Sequence, residues 1–205
     1  MEGERSYIES SFSEKDVPFE VTLRPQSLNE FIGQDLIRKR LQVSLTAAKE
    51  RQEPMGHCLF CGPPGLGKTT LATTISKDMG TNLVYSSGPS IEKAGGLAGI
   101  LTNLQEGDVL FVDEIHRLNK TVEEYLYTAM EDYVLDLVID SGPSARTVQM
   151  KLNPFTLVGA TTRSGQLSAP FRSRFNSTFR LDYYKPEVLQ TILARSGTIL
   201  NLELE

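Results

Sequence analysis

The stretch "GPPGLGKT", Gly62–Thr69, decides the fold of this chain. It fits the pattern G-x-x-x-x-G-K-[S/T], follows the apolar run "CLFC" and opens a segment with helical periodicity. Glycines let such a loop curl until successive backbone N–H groups point at phosphate oxygens, and the helix N-terminus adds partial positive charge. The stretch therefore predicts a phosphate-binding loop, with Lys68 directed at phosphates and Thr69 at Mg²⁺.

Short apolar runs alternate with helical patterns along the rest of the chain. The runs are "CLFC" (58–61), "NLVYSS" (82–87), "DVLFVD" (108–113), "FTLVGAT" (155–161) and "FRLDYY" (179–184). This repetition predicts an α/β fold: a parallel five-stranded sheet flanked by helices and joined by right-handed crossovers. Ligands of such sheets bind at the carboxyl ends of the strands.

Size and composition indicate one large globular domain, or one domain with a fragment of a second. The chain has 205 residues, of which 40% are hydrophobic and 23% charged. Residues 1–20 lack apolar periodicity and are expected to form a loose arm without a secretory signal, and no apolar run reaches about 20 residues, so we expect a cytoplasmic protein. The net charge of −5 does not favour general affinity for nucleic acid.

The two cysteines, Cys58 and Cys61, form a C-x-x-C spacing that also occurs in redox and metal sites. Here the spacing falls inside a predicted strand, where residues three apart point to opposite faces. Two thiols that face apart cannot share one metal ion. We therefore expect two small core residues.

The run "DVLFVDEIHRL" ends in two acids, Asp113 and Glu114. Burial of unpaired carboxylates is costly, so an apolar strand that ends in two acids indicates a function rather than a contribution to stability. Beside a phosphate loop, Asp113 would hold Mg²⁺ through water and Glu114 would polarise the attacking water. His116, two residues further on, is expected to be a packing or hydrogen-bonding residue.

The run "LVGATTRSG" places Thr161 and Thr162 at the next strand end. In a parallel sheet this position lies close to the γ-phosphate, where a hydroxyl can orient water or sense the phosphate. A plain pair of strand-end threonines is the alternative.

The stretch "APFRSRF", 169–175, carries Arg172 and Arg174 after a turn that begins at Ser168. An inserted arginine stabilises the charge that develops on a transferred phosphoryl group. If the turn leads away from this chain's own loop, the guanidinium must serve a neighbouring subunit. The alternative is a pair of surface arginines in ion pairs.

Taken together, four segments resemble the AAA+ ATPases and, within them, the RuvB family of motors that drive branch migration at Holliday junctions. The segments are "LRPQSLNEFIGQ", "GPPGLGKTTLA", "LFVDEIHRL" and "GATTRSGQLSAPFRSRF". The resemblance begins at about Leu23 and implies an ATP-hydrolysing subunit of a homo-hexameric ring. It also implies a large ATPase domain at 21–184 and the start of a helical lid at 185–205, with the remaining lid and a winged-helix DNA-binding domain expected beyond this sequence.

The resemblance also implies roles by position. The nucleotide-binding residues would be Leu23, Arg24, Ile32, Gly65, Lys68, Thr69, Thr70, Glu131, Asp132, Tyr133, Arg174 and Tyr184. The catalytic residues would be Asp113, Glu114, Thr162 and Arg174, and the Mg²⁺ ligands Thr69 and Asp113. In this interpretation Arg174 is the arginine finger that reaches into the adjacent subunit, and Arg172 supports it or has a structural role.

The segment "VLDLVIDSGPSARTVQMKL", 134–152, predicts a β-hairpin that interrupts the crossover before the 155–161 run. By resemblance this hairpin docks RuvA, the junction-binding partner, through Val138, Ile139, Val148 and Met150. A plain extension of the sheet is the alternative.

Two other functions remain open at this point. Another AAA+ machine, such as a clamp-loader subunit, also uses an arginine in an "SRF"-like motif. A nucleotide-binding module that does not turn over would result if the lid is missing.

Overall fold

A five-stranded parallel sheet forms the centre of the molecule in a computed structural model that describes residues 23–138 and 147–202. The strands are β1 (Cys58–Cys61), β2 (Leu83–Ser87), β3 (Val109–Asp113), β4 (Val134–Val138), β5 (Thr147–Lys151), β6 (Thr156–Thr161) and β7 (Ser177–Arg180). The helices are α1 (Asp35–Arg51), α2 (Lys68–Met79), α3 (Ala94–Thr102), α4 (Lys120–Asp132), α5 (Ala169–Ser173) and α6 (Pro186–Leu200). The predicted arm at 1–20 lies outside the described residues.

The strand order of the central sheet is β2-β3-β6-β1-β7, with every neighbouring pair parallel. The predicted α/β class and five-stranded parallel sheet are therefore confirmed. Because β1 lies between β6 and the outer strand β7, the loop that follows β1 emerges inside the carboxyl edge of the sheet. No helix among the described residues is long and apolar enough to cross a membrane.

Two apolar layers cover the faces of the sheet. Cys58 and Phe60 of β1 belong to the layer with α1 and α2, whereas Leu59 and Cys61 belong to the layer with α3 and α4. Both thiols are buried and free, and burial raises the pKa of each. The prediction that the cysteines point to opposite faces as core residues is confirmed.

The last strand differs from its predicted bounds of 179–184. The structure places β7 at Ser177–Arg180, because β1 offers a partner of only four residues and the pairing ends at Cys61 with Arg180. Leu181 is still buried, but the chain then leaves the sheet. The apolar run at 179–184 therefore indicated which residues are buried, but not how far β7 pairs with β1.

The inserted hairpin is confirmed as an antiparallel pair of β4 and β5. Its base is anchored in the core, since Leu135 and Leu152 are buried and Met150 packs against the same layer. Val148 lies further along β5 and is 42% exposed. Residues 139–146, including the predicted contact residue Ile139, lie outside the described residues.

His57 ties the amino ends of the strands to α4. Its Nδ1 accepts a hydrogen bond from the Leu157 N–H at 2.8 Å, which leaves Nε2 to donate to the Met130 carbonyl at 3.0 Å. The bond from Leu157 requires a neutral ring, because a protonated Nδ1 cannot accept it, and burial lowers the pKa of His57. The ring is therefore a neutral clamp between β6 and α4.

We expect the free energy of unfolding to fall as the pH decreases below about 6.5, the ordinary pKa of histidine. The folded state keeps His57 neutral while the unfolded chain binds the proton, so the contribution of His57 is complete above that pH and is lost below it. Urea unfolding across this pH range should show that the free energy of unfolding depends less steeply on pH for His57→Gln than for wild type. His116→Gln, which replaces a more exposed histidine, should change the slope less, and equal slopes in all three proteins would contradict the assignment.

Candidate nucleotide-binding site

The loop 62–67 curls at the carboxyl edge of the sheet, and α2 begins directly after it. Gly65 has φ +78° and open space where a side chain would begin. Gly67 has φ +90°, and an added Cβ would lie 3.0 Å from the Phe31 ring. Residues other than glycine rarely adopt either backbone conformation, so the loop needs glycine at both positions. The result is a backbone cradle whose floor is the N-terminus of a 12-residue helix.

Lys68, the first residue of α2, is 8% exposed and lies within this cradle. Its Nζ donates to the carbonyl oxygens of Gly62 at 2.9 Å and Pro63 at 2.7 Å. Burial lowers the pKa of Lys68, while the charge of Asp113 opposes that shift. The amine is therefore held by the loop itself, beside the acid that ends β3, and phosphate oxygens can replace these carbonyl partners.

Asp113 and Glu114 follow the buried part of β3. The Asp113 Oδ1 accepts a hydrogen bond from the Glu114 N–H at 2.8 Å, and Glu114 has a left-handed backbone with φ +45°. The Glu114 carbonyl oxygen lies 2.4 Å from the position of a Cβ on Gly88, so only glycine fits there. In this strained turn the two neighbouring carboxylates have different partners, the Glu114 N–H for Asp113 and the Arg117 guanidinium for Glu114.

The Glu114 carboxylate pairs with Arg117, whose Nη1 lies 2.9 Å from Oε2. The hydrogen bond from Arg117 lowers the pKa of Glu114, so the carboxylate is ionised at neutral pH. Both side chains are exposed to water, 57% for Arg117 and 44% for Glu114, so this ion pair is weak and easily exchanged.

Thr161 and Thr162 differ in their surroundings. Thr161 is buried, and its hydroxyl is bonded to Nδ1 of His116 at 2.9 Å and to the N–H of Arg163 at 2.9 Å. His116 is therefore a hydrogen-bonding residue, as predicted. Thr162 is exposed and lines a cavity with Gly62 at the start of the loop. Of the two threonines, Thr162 is the exposed one, and it shares this cavity with the start of the phosphate loop.

A second cavity, of about 180 Å³, lies beside the phosphate loop. It is lined by predicted nucleotide-binding residues, namely Leu23, Ile32, Gly65, Thr70 and Tyr184, and also by Phe31, Ile192, Arg195 and Ser196. The Tyr184 hydroxyl donates to the Leu66 carbonyl at 2.9 Å, which fixes the ring against the loop. Arg24 is half-buried next to Leu23, and its charge acts on Tyr85 of β2. The mainly apolar lining suits a planar base.

Arg174 is held on a different part of the molecule. Its Nη2 lies 2.8 Å from Oε2 of Glu131 and donates to the Tyr127 hydroxyl, while Cζ lies 4.2 Å above the Tyr127 ring. Three residues later the chain is already at the amino edge of the sheet, where Ser177 N–H bonds to the His57 carbonyl at 3.3 Å. The phosphate loop is at the carboxyl edge, so Arg174 does not meet the loop of its own chain.

Glu131, Asp132 and Tyr133 share this location. The Tyr133 ring packs on His57 at 6.4 Å and on Phe155 at 5.8 Å between ring centroids, at the amino ends of β1 and β6. The structure therefore does not bring these three predicted nucleotide-binding residues together with Lys68 of the same chain. Instead it groups them with Arg174, on a surface that a neighbouring site could use.

Several residues of the base cavity were missed in the sequence analysis. Ile192, Arg195 and Ser196 line it from α6, at the i, i+3, i+4 spacing of one helix face. This spacing is visible in the sequence, but the same segment also carries the apolar residues Val188, Leu189, Ile192 and Leu193 at helical spacing, which predict an apolar stripe instead. In the structure Leu189 is 45% and Leu193 61% exposed, while Val188 and Ile192 are half-buried, so the stripe is divided.

The fold and the site define a class of protein. A glycine-rich loop and its lysine follow β1, an acid pair ends β3, and an exposed threonine follows β6, all at the carboxyl edge of a parallel sheet. This is the arrangement of a P-loop nucleotide-binding domain of the AAA+ class.

Comparison with known proteins then identifies the family. Residues 23–181 match the family described as "Holliday junction DNA helicase RuvB P-loop domain", and the chain belongs to it. It is 63% identical over 201 residues to the Holliday junction branch migration complex subunit RuvB of Protochlamydia amoebophila, covering 98% of this chain and 60% of the relative. The corresponding subunit of Chlorobaculum parvum is 56% identical over 190 residues, covering 93% of this chain and 56% of the relative.

A solved structure agrees with these relatives. The Thermotoga maritima RuvB Holliday junction branch migration motor superimposes with a TM-score of 0.79 at 51% sequence identity. The superposition covers 90% of this chain and 57% of that one. The chain therefore spans less than two thirds of the length of the proteins that it matches.

Proposed function

We propose that this chain is the ATP-binding and ATP-hydrolysing core of a cytoplasmic RuvB-type motor that drives Holliday-junction branch migration in recombination and repair. The observation that carries the proposal is the grouping of the Lys68 cradle, the acid pair 113–114 and the base cavity at one edge of the sheet. We assign the ATPase domain to 21–184 and the start of the lid to 185–205. The family match favours this function over that of a clamp-loader subunit.

In this proposal different residues of the site bind the base, the phosphates and the metal ion of ATP. The base occupies the cavity between Leu23, Ile32 and Tyr184, and the phosphates accept hydrogen bonds from the loop N–H groups and Lys68. Thr69, which follows Lys68 at the start of α2, and Asp113 offer the hard oxygen ligands that Mg²⁺ takes alongside phosphates. A bound Mg²⁺ ion would neutralise charge on the β- and γ-phosphates.

Hydrolysis needs a water molecule oriented towards the γ-phosphate. Glu114 is ionised and half-exposed, so its carboxylate can accept a proton from such a water once it exchanges Arg117 for that water. Thr162 is exposed at the neighbouring strand end and can hydrogen-bond the same water or a phosphate oxygen. His116 and Thr161 support that strand end through their mutual hydrogen bond.

The arginine finger would come from a neighbouring copy in a homo-hexameric ring. This assignment is supported by the position of Arg174 towards the amino edge, away from its own phosphate loop, together with Glu131 and Tyr133. In this arrangement Glu131, Asp132, Tyr133 and Arg174 all reach the nucleotide of the next subunit.

The hairpin of β4 and β5 is the proposed docking site for a RuvA-type junction-binding protein. Support comes from its gradient of exposure, from buried Leu152 at the base through half-buried Met150 to exposed Val148. An apolar residue that becomes exposed along a hairpin outside the central sheet is suited to binding a partner. Contact with Holliday-junction DNA is assigned mainly to parts of the relatives that this chain does not span.

A second candidate is a nucleotide-binding module that does not turn over when alone. It is favoured by the same observation that places Arg174 away from its own site, because an isolated chain would lack the arginine. Dependence of turnover on protein concentration separates the two candidates.

The test of nucleotide binding is Lys68→Ala, compared with the exposed Lys49→Ala as a control. Loss of a buried charge-assisted contact worth about 1.5–3 kcal/mol should raise the dissociation constant of ATP at least tenfold. Titration of a fluorescent ATP analogue with each protein measures this directly. Equal affinities for Lys68→Ala and wild type would remove the loop from the proposal.

A further inference from the structure

Arg195 connects α6 to the rest of the domain. Its Nη1 donates to the Leu23 carbonyl oxygen at 2.7 Å, and its Nη2 lies 3.4 Å from Oε2 of Glu30. Within residues 23–138 and 147–202, these are the hydrogen bonds that join α6 to another part of the chain, whereas its hydroxyl groups bond to backbone carbonyls within the helix. Among the described residues, the Arg195 guanidinium therefore supplies the side-chain hydrogen bonds between α6 and segment 23–30.

The partners of Arg195 lie at both ends of one short segment. Leu23 begins the described chain and lines the base cavity, and Glu30 lines it from the other end. The Glu30 carboxylate also accepts the N–H of Gln26 at 3.0 Å, so the segment 23–30 is closed into a compact turn beneath the guanidinium. The Arg195 side chain is 26% exposed, which shields the pair more than a typical surface ion pair.

Two parts of the chain line the base cavity, and Arg195 forms hydrogen bonds from one to the other. One wall is the segment 23–32, and the opposite wall is formed by Tyr184 and α6. At its N-terminal end α6 packs tightly, because Tyr184 and Val188 approach within 2.6–2.9 Å of the Cβ position on Gly33. In its C-terminal half α6 faces the cavity with half-buried Ile192, Arg195 and Ser196, and the Arg195 hydrogen bonds add a polar attachment to segment 23–30 there.

We propose that Arg195 is a positioning residue that sets the width of the base cavity by fastening α6 to segment 23–30, and that it thereby sets nucleotide affinity and the preference for adenine. The inference rests on the proposed function, since it takes this cavity as the site of the ATP base. At about 180 Å³ the cavity is small and mainly apolar. Guanine carries an amino group at C2, where adenine has only a hydrogen, so a narrow, fixed wall excludes guanine more than a loose wall does.

The test compares Arg195→Ala, Arg195→Lys and Glu30→Gln with a matched control, Arg51→Ala. Arg51 forms a comparable arginine–glutamate pair with Glu53 at 2.8 Å, remote from the cavity lining. Titrations with fluorescent analogues of ATP, ADP and GTP give three dissociation constants for each protein. Thermal melting of each variant separates a loss of folding from a loss of binding.

For Arg195→Ala we expect the dissociation constants of ATP and ADP to rise by the same factor, about tenfold, because the contact concerns the base side rather than the γ-phosphate. The constant for GTP should rise less, so the preference for ATP over GTP decreases. Lysine can still donate to the Leu23 carbonyl, so Arg195→Lys should restore part of both the affinity and the preference. Glu30→Gln should show a smaller shift in the same direction, and Arg51→Ala none.

Other outcomes would overturn the inference. An unchanged ATP-to-GTP ratio, or a loss of affinity for ATP without a loss for ADP, would show that Arg195 does not control the base cavity. If Arg195→Ala does not fold, the Glu30→Gln variant decides instead. Unchanged dissociation constants for ATP and GTP in Glu30→Gln would then overturn the inference. If the wild-type chain binds none of the three nucleotides, the proposed function itself fails. If the wild type binds ATP and the variants bind it equally well, only the role of Arg195 fails.

Discussion

Replacing Arg174 by alanine should lower ATP turnover by about 10³-fold, the effect expected when an arginine finger is removed. Nucleotide affinity should remain nearly intact, because Arg174 contacts Tyr127 and Glu131 rather than the loop of its own chain. Folding should also be preserved, since the Arg174–Glu131 pair is partly exposed and such pairs contribute little to the free energy of unfolding. Steady-state hydrolysis and nucleotide titration measure the two quantities separately.

The matched control is Arg172→Ala, which removes an exposed arginine two residues away. It should retain most of the turnover if the role of Arg174 is specific. For wild type, activity per chain should rise with protein concentration, because each site is completed by a neighbour.

Mixing two inactive variants distinguishes action in trans from action in cis. Arg174→Ala keeps an intact phosphate loop and Lys68→Ala keeps an intact finger, so a mixed interface contains one complete site and some activity should return. In a cis mechanism every chain lacks one essential group in its own site, and no mixture recovers activity. If the wild-type chain does not hydrolyse ATP, the same mixture is made with a longer chain that continues through the lid.

Replacing Glu114 by glutamine should lower hydrolysis by about 10²–10⁴-fold, the usual contribution of a general base. The amide keeps the size of the side chain but cannot accept the proton of the attacking water. ATP binding should be retained, because the phosphate cradle of Lys68 and the base cavity are unchanged. Equal hydrolysis by wild type and Glu114→Gln would show that another group activates the water.

Arg117→Gln is the control that keeps the carboxylate and removes its partner. Arg117 lowers the pKa of Glu114, so the variant should have a higher Glu114 pKa than wild type. The ionised base would then be lost at a higher pH as the solution is acidified, and the acidic limb of the rate profile should move upwards in pH. Initial rates across the acidic range test the direction of this shift.

Much of the site could be predicted from sequence because its parts are local. The glycine spacing of 62–69 specifies a loop between a strand and a helix, and the acids at 113–114 mark the end of a buried strand. All strands of a parallel sheet that are joined by helices present their carboxyl ends at one edge, so these two motifs lie at the same edge whatever the order of the strands. The opposite orientation of Cys58 and Cys61 followed from strand periodicity in the same way.

The tertiary structure alone decided the strand order, the bounds of β7, the location of Arg174 and the closure of the base cavity. Each depends on a partner distant in sequence: β7 ends where β1 stops pairing, and Arg174 lies beside Glu131 because α4 and α5 pack together. The contacts of Arg195 with Leu23 and Glu30 span 172 and 165 residues. Local spacing specifies which groups are present and at which strand end, but only the packing of the sheet and its helices brings such distant groups within hydrogen-bonding distance.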